Sequence, residues 1–416
     1  MSEEKLVPKL RFDGFNKVWE SKQIGEIAEV VGGGTPKTEI VDYWDGEIKW
    51  FTPSEIGKTK YVFDSDRHIT EKGLKNSSAK LLPKDALLLS SRATVGEISI
   101  ALTECSTNQG FQSLITKSNV DNDFIYYLIS TIKNEFLRRS SGSTFLEINK
   151  NEIKRMPINI PELSEQKKIS NLFSAIDNKI EMLEKKCEYY QDFKKYLMQR
   201  IFSSSDDKLR FDFDEIRLKS ISKINKGKQL NKEHMLEIGK FYVLNGGQEP
   251  SGYTDSWNTS ENTITISEGG NSCGFVNFNI EKFWSGGHCY YLNKLSENID
   301  VYYLYSYLKF IEPQIMRLRV GSGLPNIQKG DIENIKIKIL PKKEQIKISN
   351  LLLSTDNKIS SIESQKDSFE IFKKGLLQQM FVVRINWRCN FKLAKSPSFN
   401  KHLLILKNKI IFIIIK

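Results

Sequence analysis

Histidine is scarce in this chain, with 4 residues in 416, which leaves little material for acid–base chemistry. The 5 cysteines are odd in number and scattered, so we predict reduced thiols rather than a disulfide framework. No apolar run reaches the ~18 residues needed to cross a bilayer. The charged start, MSEEKLVPKL, lacks the apolar stretch of a secretory signal. These absences predict a cytoplasmic protein that has no membrane partner.

Catalytic motifs are also missing. The glycine-rich stretch Gly32–Thr38 does not satisfy the phosphate-loop pattern G-x-x-x-x-G-K-[ST], and it is typical of a turn between strands. Zinc ligation by Cys273, His288 and Cys289 is conceivable, but there is no C-x-x-C pair and no evident fourth ligand. We therefore predict no catalytic residue and no metal site, which indicates a binding protein.

The positive charge is concentrated at one end of the chain. The net charge is +11, yet the sequence from Ile371 onward has ten Lys and Arg and no acidic residue. The part of the chain that precedes Ile371 therefore has a net charge of only +1. A nucleic-acid-binding surface in that part would have to come from local clustering of basic residues.

One twelve-residue stretch occurs almost unchanged at two places. ISNLFSAIDNKI (Ile169–Ile180) is followed 179 positions later by ISNLLLSTDNKI (Ile348–Ile359). Solenoid repeats have periods of about 20–50 residues, so this spacing indicates duplication of a unit the size of a domain. Fainter upstream echoes include YYL at Tyr126–Leu128 and at Tyr302–Leu304. Each half thus has a divergent front part and a preserved back part.

The preserved parts predict two long helices, 162–202 and 342–381. Apolar residues recur there every three or four positions, which is the period of one helical stripe. The stripes run through Ile169, Leu172, Ile176, Ile180, Leu183, Cys187, Tyr190, Phe193, Leu197 and Ile201, and through Ile348, Leu351, Thr355, Ile359, Ile362, Lys366, Phe369, Phe372, Leu376 and Met380. We predict that the helices pair as an antiparallel intramolecular coiled coil. The alternative is that each helix packs separately on its own domain.

The front parts combine short β-prone runs with Gly, Ser and Asn turns, and each then has an amphipathic helix that ends in basic residues. The fold class predicted is α+β, with an internal pseudo-two-fold repeat. The predicted boundaries are 1–161 for the first globular domain, 203–341 for the second, and 382–416 for an atypical basic, Ile-rich tail.

Loops of both domains contain side chains suited to DNA. Arginines beside Ser and Gly at a helix end suit phosphate oxygens, while Arg, Asn and Gln can recognise guanine and adenine edges. The candidate DNA-binding residues are Lys37, Arg92, Thr94, Asn108, Gln109, Arg139, Ser143, Lys228, Asn271, His288, Arg319 and Ser322. Taken singly, each such stretch is more often just a turn.

The order of these features resembles the specificity subunits of type I restriction–modification systems. The resemblance depends on KLRF followed by Trp19, on SRATVG and STNQGF, on SGGHCYYL, and on the helix openings SEQKKISNLFSAIDNKI and KEQIKISNLLLSTDNKI. It covers about residues 1–381. It implies two target-recognition domains, each contacting half of a bipartite site in double-stranded DNA, with the coiled coil as the spacer between them. The tail after Phe381 departs from the family pattern.

The resemblance also implies partners. Two methyltransferase subunits would carry S-adenosylmethionine, and restriction subunits would use ATP and Mg²⁺, so this chain itself needs no cofactor. Polar residues repeated on both helices suit two identical partners, namely Gln166, Asp177, Asn178, Lys179, Gln345, Asp356, Asn357 and Lys358. The alternatives are that these residues form solvated helix faces, and that the whole chain is a coiled-coil adaptor without sequence-specific DNA recognition.

Overall fold

The computed structural model describes residues 7–142, 146–203, 213–321, 323 and 325–382. Ser143, Ser322 and the predicted tail beyond Val382 lie outside the described residues. The chain divides into two compact units: unit 1 is Met1–Met182 with Lys366–Lys416, and unit 2 is Leu183–Gln365. Each unit combines one globular domain with a segment of both long helices.

Unit 1 has a mixed architecture. Its strands are β1 (Glu20–Gln23), β2 (Ala28–Gly32), β3 (Trp44–Phe51), β4 (Tyr61–Val62), β5 (His68–Ile69), β6 (Leu87–Leu89), β7 (Ile98–Ala101), β8 (Cys105–Thr107), β9 (Gln112–Thr116) and β10 (Pro157–Ile160). Its helices are α1 (Ile24–Ile27), α2 (Glu71–Lys75), α3 (Asn122–Thr131), α4 (Lys133–Arg139), α5 (Lys150–Arg155) and the first part of α6 (Leu163–Phe202). The strands form sheets in the orders β2-β9-β6-β7-β4, β5-β3-β8 and β1-β10.

Unit 2 has the same plan with fewer strands described. Its strands are β11 (Asp214–Arg217), β12 (Lys223–Lys226), β13 (Phe241–Leu244), β14 (Gly252–Thr254), β15 (Thr263–Ser267), β16 (Val276–Asn279), β17 (Trp284–Ser285), β18 (Cys289–Asn293) and β19 (Lys336–Ile339). Its helices are the second part of α6, α7 (Val301–Phe310), α8 (Glu312–Met316), α9 (Lys329–Glu333) and most of α10 (Lys342–Met380). The sheet orders are β12-β18-β15-β16, β14-β13-β17 and β11-β19.

The helix after each main sheet establishes the internal repeat. An aspartate caps α3 and α7: Asp121 accepts from Phe124 N, and Asp300 accepts from Tyr302 N and Tyr303 N. The two caps are separated by the same offset as the twelve-residue repeat, and so are the helices themselves. The YYL echo, with its offset of 176, is therefore out of structural register, and Phe124 rather than Tyr127 is equivalent to Tyr303.

The two long helices are confirmed, and in each unit their segments run antiparallel. In unit 1, Asp177 pairs with Lys373, and in unit 2, Lys194 pairs with Asp356, both at 2.6 Å. In unit 1 Phe173 also packs on Phe381, and in unit 2 Cys187 contacts Glu363, so within each unit one residue number falls as the other rises.

The helices pack on the globular domains as well as on each other. Phe173 and Ile176 share one core with Phe372 and Leu376 and with the domain residue Phe124. The two alternatives for the helices are therefore compatible. Two stripe residues were predicted wrongly, because Phe193 and Leu351 are exposed, and Leu352 is buried beside Ile348 in the core of unit 2.

The described cysteines are free thiols. Cys105, Cys273 and Cys289 are buried, and Cys187 is partly exposed. Burial raises the pKa of Cys105 to about 12. The prediction of reduced thiols is confirmed for these residues, while Cys389 lies outside the described part. Within the described ranges, no helix is long and apolar enough to cross a membrane.

Buried tyrosines predict a loss of stability at alkaline pH. Burial raises the pKa of Tyr303 and raises the pKa of Tyr305 to about 12, whereas the unfolded chain ionises tyrosine near ~10. When the pKa of a tyrosine is higher in the folded state than in the unfolded state, its full contribution to stability is present below the unfolded pKa. Above that pKa, the free energy of unfolding falls by about 1.4 kcal/mol per pH unit for each such tyrosine. Urea unfolding between about pH 9 and pH 11 should show a shallower fall for Tyr303→Phe. The control is Tyr189→Phe, whose exposed ring should leave the slope unchanged.

Candidate nucleic-acid interface

Loops of unit 1 meet in one surface at the same end of its sheets. Backbone hydrogen bonds join Gly34 N to Thr107 O (2.8 Å), Ser91 N to Gly110 O (2.7 Å) and Ile148 N to Ser91 O (3.0 Å). We define the loop face of unit 1 as residues 33–38, 52–55, 90–97, 107–111, 139–142 and 146–148. It brings the predicted residues Lys37, Arg92, Thr94, Asn108, Gln109 and Arg139 onto one surface.

The glycine-rich stretch is a close-packed turn. A Cβ on Gly33 would lie 2.1 Å from the carbonyl oxygen of Asn108, so no side chain fits at this position. Asn108 itself forms a local turn, because its Oδ1 accepts from Gly110 N at 2.8 Å. The side chains of Lys37 and Gln109 are exposed, and Thr35 donates to Gln109 Oε1. The interpretation of this stretch as a turn is confirmed.

Arg92 is exposed but not free. Its guanidinium pairs with Glu147 at 2.8 Å, and the backbones of these residues form an isolated β-bridge. The next residue, Ala93, has a φ of 58°, which turns the chain sharply and leaves Thr94 exposed. The ion pair with Glu147 holds the Arg92 guanidinium at the surface and fixes the direction in which its remaining N–H donors point.

Arg139 has a similar acidic environment. Its guanidinium lies 3.4 Å from Glu135 and 3.6 Å from Glu152. The loop face of unit 1 is therefore of mixed charge. To bind phosphate, Arg92 and Arg139 would have to exchange their carboxylate partners for phosphate oxygens.

Unit 2 builds the same surface from equivalent loops. Backbone hydrogen bonds join Lys228 N to Ser285 O (2.9 Å), Glu268 N to His288 O (3.0 Å) and Gly270 N to Pro325 O (3.0 Å). We define the loop face of unit 2 as residues 227–230, 245–249, 268–274, 285–288, 317–321 and 325–327. The predicted residues Lys228, Asn271, His288 and Arg319 all lie there with exposed side chains. Arg319 makes no ion pair within the described residues, and its charge acts on the nearby Cys273 thiol, lowering its pKa against the larger effect of burial.

Glu268, at the base of this face, was missed by the sequence analysis. It is 4% exposed, and its Oε1 accepts from Lys226 Nζ (2.6 Å) and from the Tyr290 hydroxyl (2.9 Å). Its Oε2 lies 3.4 Å from His288 Nδ1. A lone glutamate between strands gives no sequence signal, because only the fold brings these three partners around it. Across the described ranges, no three His, Cys, Asp or Glu side chains are close enough together to hold a metal.

The two loop faces share a backbone plan but differ in side chains. Gly110 and His288 are equivalent, because Ser91 N donates to Gly110 O in unit 1 as Glu268 N donates to His288 O in unit 2. The bridges Arg92–Glu147 and Gly269–Asn326 also correspond, so glycine in unit 2 replaces the arginine of unit 1. Two similar scaffolds thus present different chemical groups at matching positions.

Comparison with known proteins gives the family. A model described as "Type I restriction modification DNA specificity domain" matches twice, at residues 16–188 and 211–370. The chain belongs to this family. It is 30% identical over 400 residues to the type I restriction enzyme MjaIX specificity subunit of Methanocaldococcus jannaschii, covering 88% of this chain and 93% of that one.

Two solved structures are similar in fold. The S subunit of a type I restriction-modification system from M. genitalium aligns with a TM-score of 0.67 and 20% identity, covering 90% of this chain and 99% of that one. A chain described as "Structural basis underlying complex assembly and conformational transition of the type I R-M system" aligns with a TM-score of 0.55 and 17% identity, covering 87% of this chain and 96% of that one. As a member of this family the chain is a specificity subunit with two recognition domains and no catalytic role of its own.

Two residues predicted to bind a partner of this specificity subunit are instead structural. Gln166 is 1% exposed and Gln345 is 0% exposed. Gln166 accepts from Asp121 N (3.0 Å) and donates to Pro161 O (2.8 Å). Gln345 accepts from Asp300 N (2.8 Å) and donates to Leu340 O (2.7 Å). Their burial excludes direct contact with a partner, so this prediction is corrected: both glutamines join the long helices to the recognition domains.

The other predicted partner-binding residues divide into two groups. The carboxylates of Asp177 and Asp356 are engaged inside their own units, by Lys373 and Tyr127 and by Lys194 and Tyr302. Both aspartates therefore have structural partners within their own units. The second group remains open to partners, since Lys179 is partly exposed and the side chains of Asn178, Asn357 and Lys358 are exposed.

Proposed function

We propose that this specificity subunit recognises a bipartite site in double-stranded DNA, with one half-site against each loop face. The observation that supports the proposal is the duplicated loop face with different residues at equivalent positions. A shared scaffold suits the uniform DNA backbone, while different Arg, Gln, Gly and His side chains suit different base edges. The two half-sites should accordingly differ in sequence.

The same proposal includes the assembly. The specificity subunit directs two methyltransferase subunits and the restriction subunits to the site in the cytoplasm. The partners carry the cofactors: S-adenosylmethionine on the methyltransferase subunits, and ATP with Mg²⁺ on the restriction subunits. The exposed residues Asn178, Lys179, Asn357 and Lys358 are the candidates for methyltransferase contact, because they recur on both helices and suit two identical partners.

Methylation-sensitive sequencing tests the proposal. A host is given this gene and its methyltransferase partner, and a control host is given the partner alone. We expect modification at a split motif with a fixed gap only when both genes are present. Modification without any such motif would favour the adaptor hypothesis instead.

Arg92 and Arg319 should contribute in different ways. Arg92→Ala should relax recognition of one half-site, at a cost of about 1–3 kcal/mol, because a base-edge contact is lost. Arg319→Ala should weaken binding to all sequences alike and reduce the salt dependence by about one counterion, because a phosphate contact is lost. Binding of the methyltransferase complex is measured across salt concentrations and half-site variants.

Two control variants sharpen this comparison. Arg92→Lys keeps the charge but loses the planar fork of donors, so it should resemble Arg92→Ala in base preference. Lys117→Ala removes an exposed charge at the end of β9 opposite to the loop face, and should behave as wild type. Wild-type base preference in Arg92→Ala would remove the assignment of Arg92 as a base contact.

A further inference from the structure

Asp177 is the point where three elements of unit 1 meet. Its Oδ1 pairs with Lys373 Nζ of α10 at 2.6 Å, which joins the two long helices. Its Oδ2 accepts from the Tyr127 hydroxyl of α3 at 2.6 Å, which joins the recognition domain to them. Burial and the hydrogen bond to Asp177 both raise the pKa of Tyr127, so the hydroxyl keeps its proton and remains a donor.

Asp356 occupies the same position in unit 2. Its carboxylate pairs with Lys194 Nζ at 2.6 Å and accepts from the Tyr302 hydroxyl of α7. Asp177 and Asp356 are separated by the repeat offset, and so are Lys194 and Lys373. The helix–helix part of the arrangement is therefore a duplicated feature.

The tyrosines, in contrast, are not equivalent. When α3 and α7 are aligned by their caps, Tyr127 is equivalent to Ser306, and Tyr302 is equivalent to Asp123. The two tyrosines therefore differ in position by four residues, or about one helical turn. Residues four apart lie on the same face of a helix, so both hydroxyls can approach the same carboxylate from different turns. The two domains therefore contact equivalent aspartates through tyrosines that are not equivalent. Duplication of a single tyrosine–aspartate contact does not explain the presence of both contacts.

We propose that Asp177 and Asp356 are positioning residues that fix the rotation of each recognition domain on the helix pair, and so fix the gap between half-sites. The inference rests on the proposed function. A domain of this size places its outer surface about 20 Å from such an anchor. A rotation of about 10° would move that surface by ~3.5 Å, close to the ~3.4 Å rise of one base pair. Loss of one hydrogen bond to a charged group should then relax the gap without changing the bases recognised.

The test uses Tyr127→Phe and Tyr302→Phe in the full chain with its methyltransferase partner. Each variant is presented with DNA that carries both half-sites at gaps one base pair shorter, equal and one base pair longer. We expect modification at the altered gaps to rise about tenfold relative to the preferred gap, with both half-sites unchanged. Asp177→Asn, which keeps an acceptor for Tyr127 but loses the ion pair with Lys373, should give a smaller rise.

Matched controls separate positioning from stability. Tyr126→Phe and Tyr305→Phe remove hydroxyls from the same helices that have no hydrogen-bond partner in the described part of the chain, and they should keep wild-type gap selectivity. Urea unfolding is measured for all variants. Wild-type gap selectivity in Tyr127→Phe and Tyr302→Phe, with or without lower stability, overturns the inference. Absence of any fixed gap in the wild type overturns the proposed function instead.

Discussion

Four helix-forming residues inserted between Lys186 and Tyr189 are expected to lengthen the gap of the recognised site by one base pair. Four residues add up to ~6 Å of helix, whereas base pairs are ~3.4 Å apart. The unchanged α10 should absorb part of this length. The insertion lies between Asp177, paired in unit 1, and Lys194, paired in unit 2, so lengthening α6 alone moves one of these two ion pairs out of register by about one turn. No residue of either loop face is altered, and both half-sites should remain the same.

Single-molecule methylation sequencing of cells with the variant and its partner subunit measures this gap. The matched control replaces residues 185–188 by the same four inserted residues, so that composition changes but length does not, and its gap should equal that of the wild type. Modification at the original spacing by the lengthened variant would mean that α6 does not set the distance. A changed half-site would mean that the loop faces are not the only determinants of sequence.

Phe124→Ala should lower the free energy of unfolding of unit 1 by about 3–5 kcal/mol, as expected for loss of a buried aromatic ring. Phe124 is 0% exposed, and its ring lies 5.9 Å from that of Trp19 and 5.3 Å from that of Phe381. The substitution would remove the contact between the recognition domain and the residues at the end of α10. Recognition of the first half-site should therefore weaken as stability falls. Denaturant unfolding followed by tryptophan fluorescence, together with half-site binding, measures both.

The control for this substitution is Ile371→Ala, also in unit 1. Its side chain is 54% exposed, so the change should stay within about 0.5 kcal/mol. The equivalent residue in unit 2 is Tyr303, which packs on Phe202 at 5.6 Å. Tyr303→Ala should destabilise unit 2 and leave the first half-site intact. A loss below about 1 kcal/mol for Phe124→Ala would show that this core can collapse around the cavity.

The candidate site was predictable in outline but not in its contacts. Arg92, Gln109 and His288 were identified because their residue types suit base edges, and the fold brings each onto a loop face. Glu147 and Glu268, which hold Arg92 and approach His288, carried no signal, because each meets its partner only through folding. The repeated Asp177/Asp356 and Lys194/Lys373 were visible in the sequence. Their pairing could be inferred only once the antiparallel register was known.

The sequence by itself determined the duplication, the two long helices and the family, since these follow from period, spacing and local residue order. The tertiary structure decided which atoms meet. It placed Gln166 and Gln345 inside their units, moved the equivalence of α3 and α7 from an offset of 176 to one of 179, and buried Leu352 instead of Leu351. Periodicity fixes a helix face only to within about one residue, because neighbouring positions are ~100° apart. The choice between them is made by side chains that are distant in the sequence and adjacent only in the folded chain.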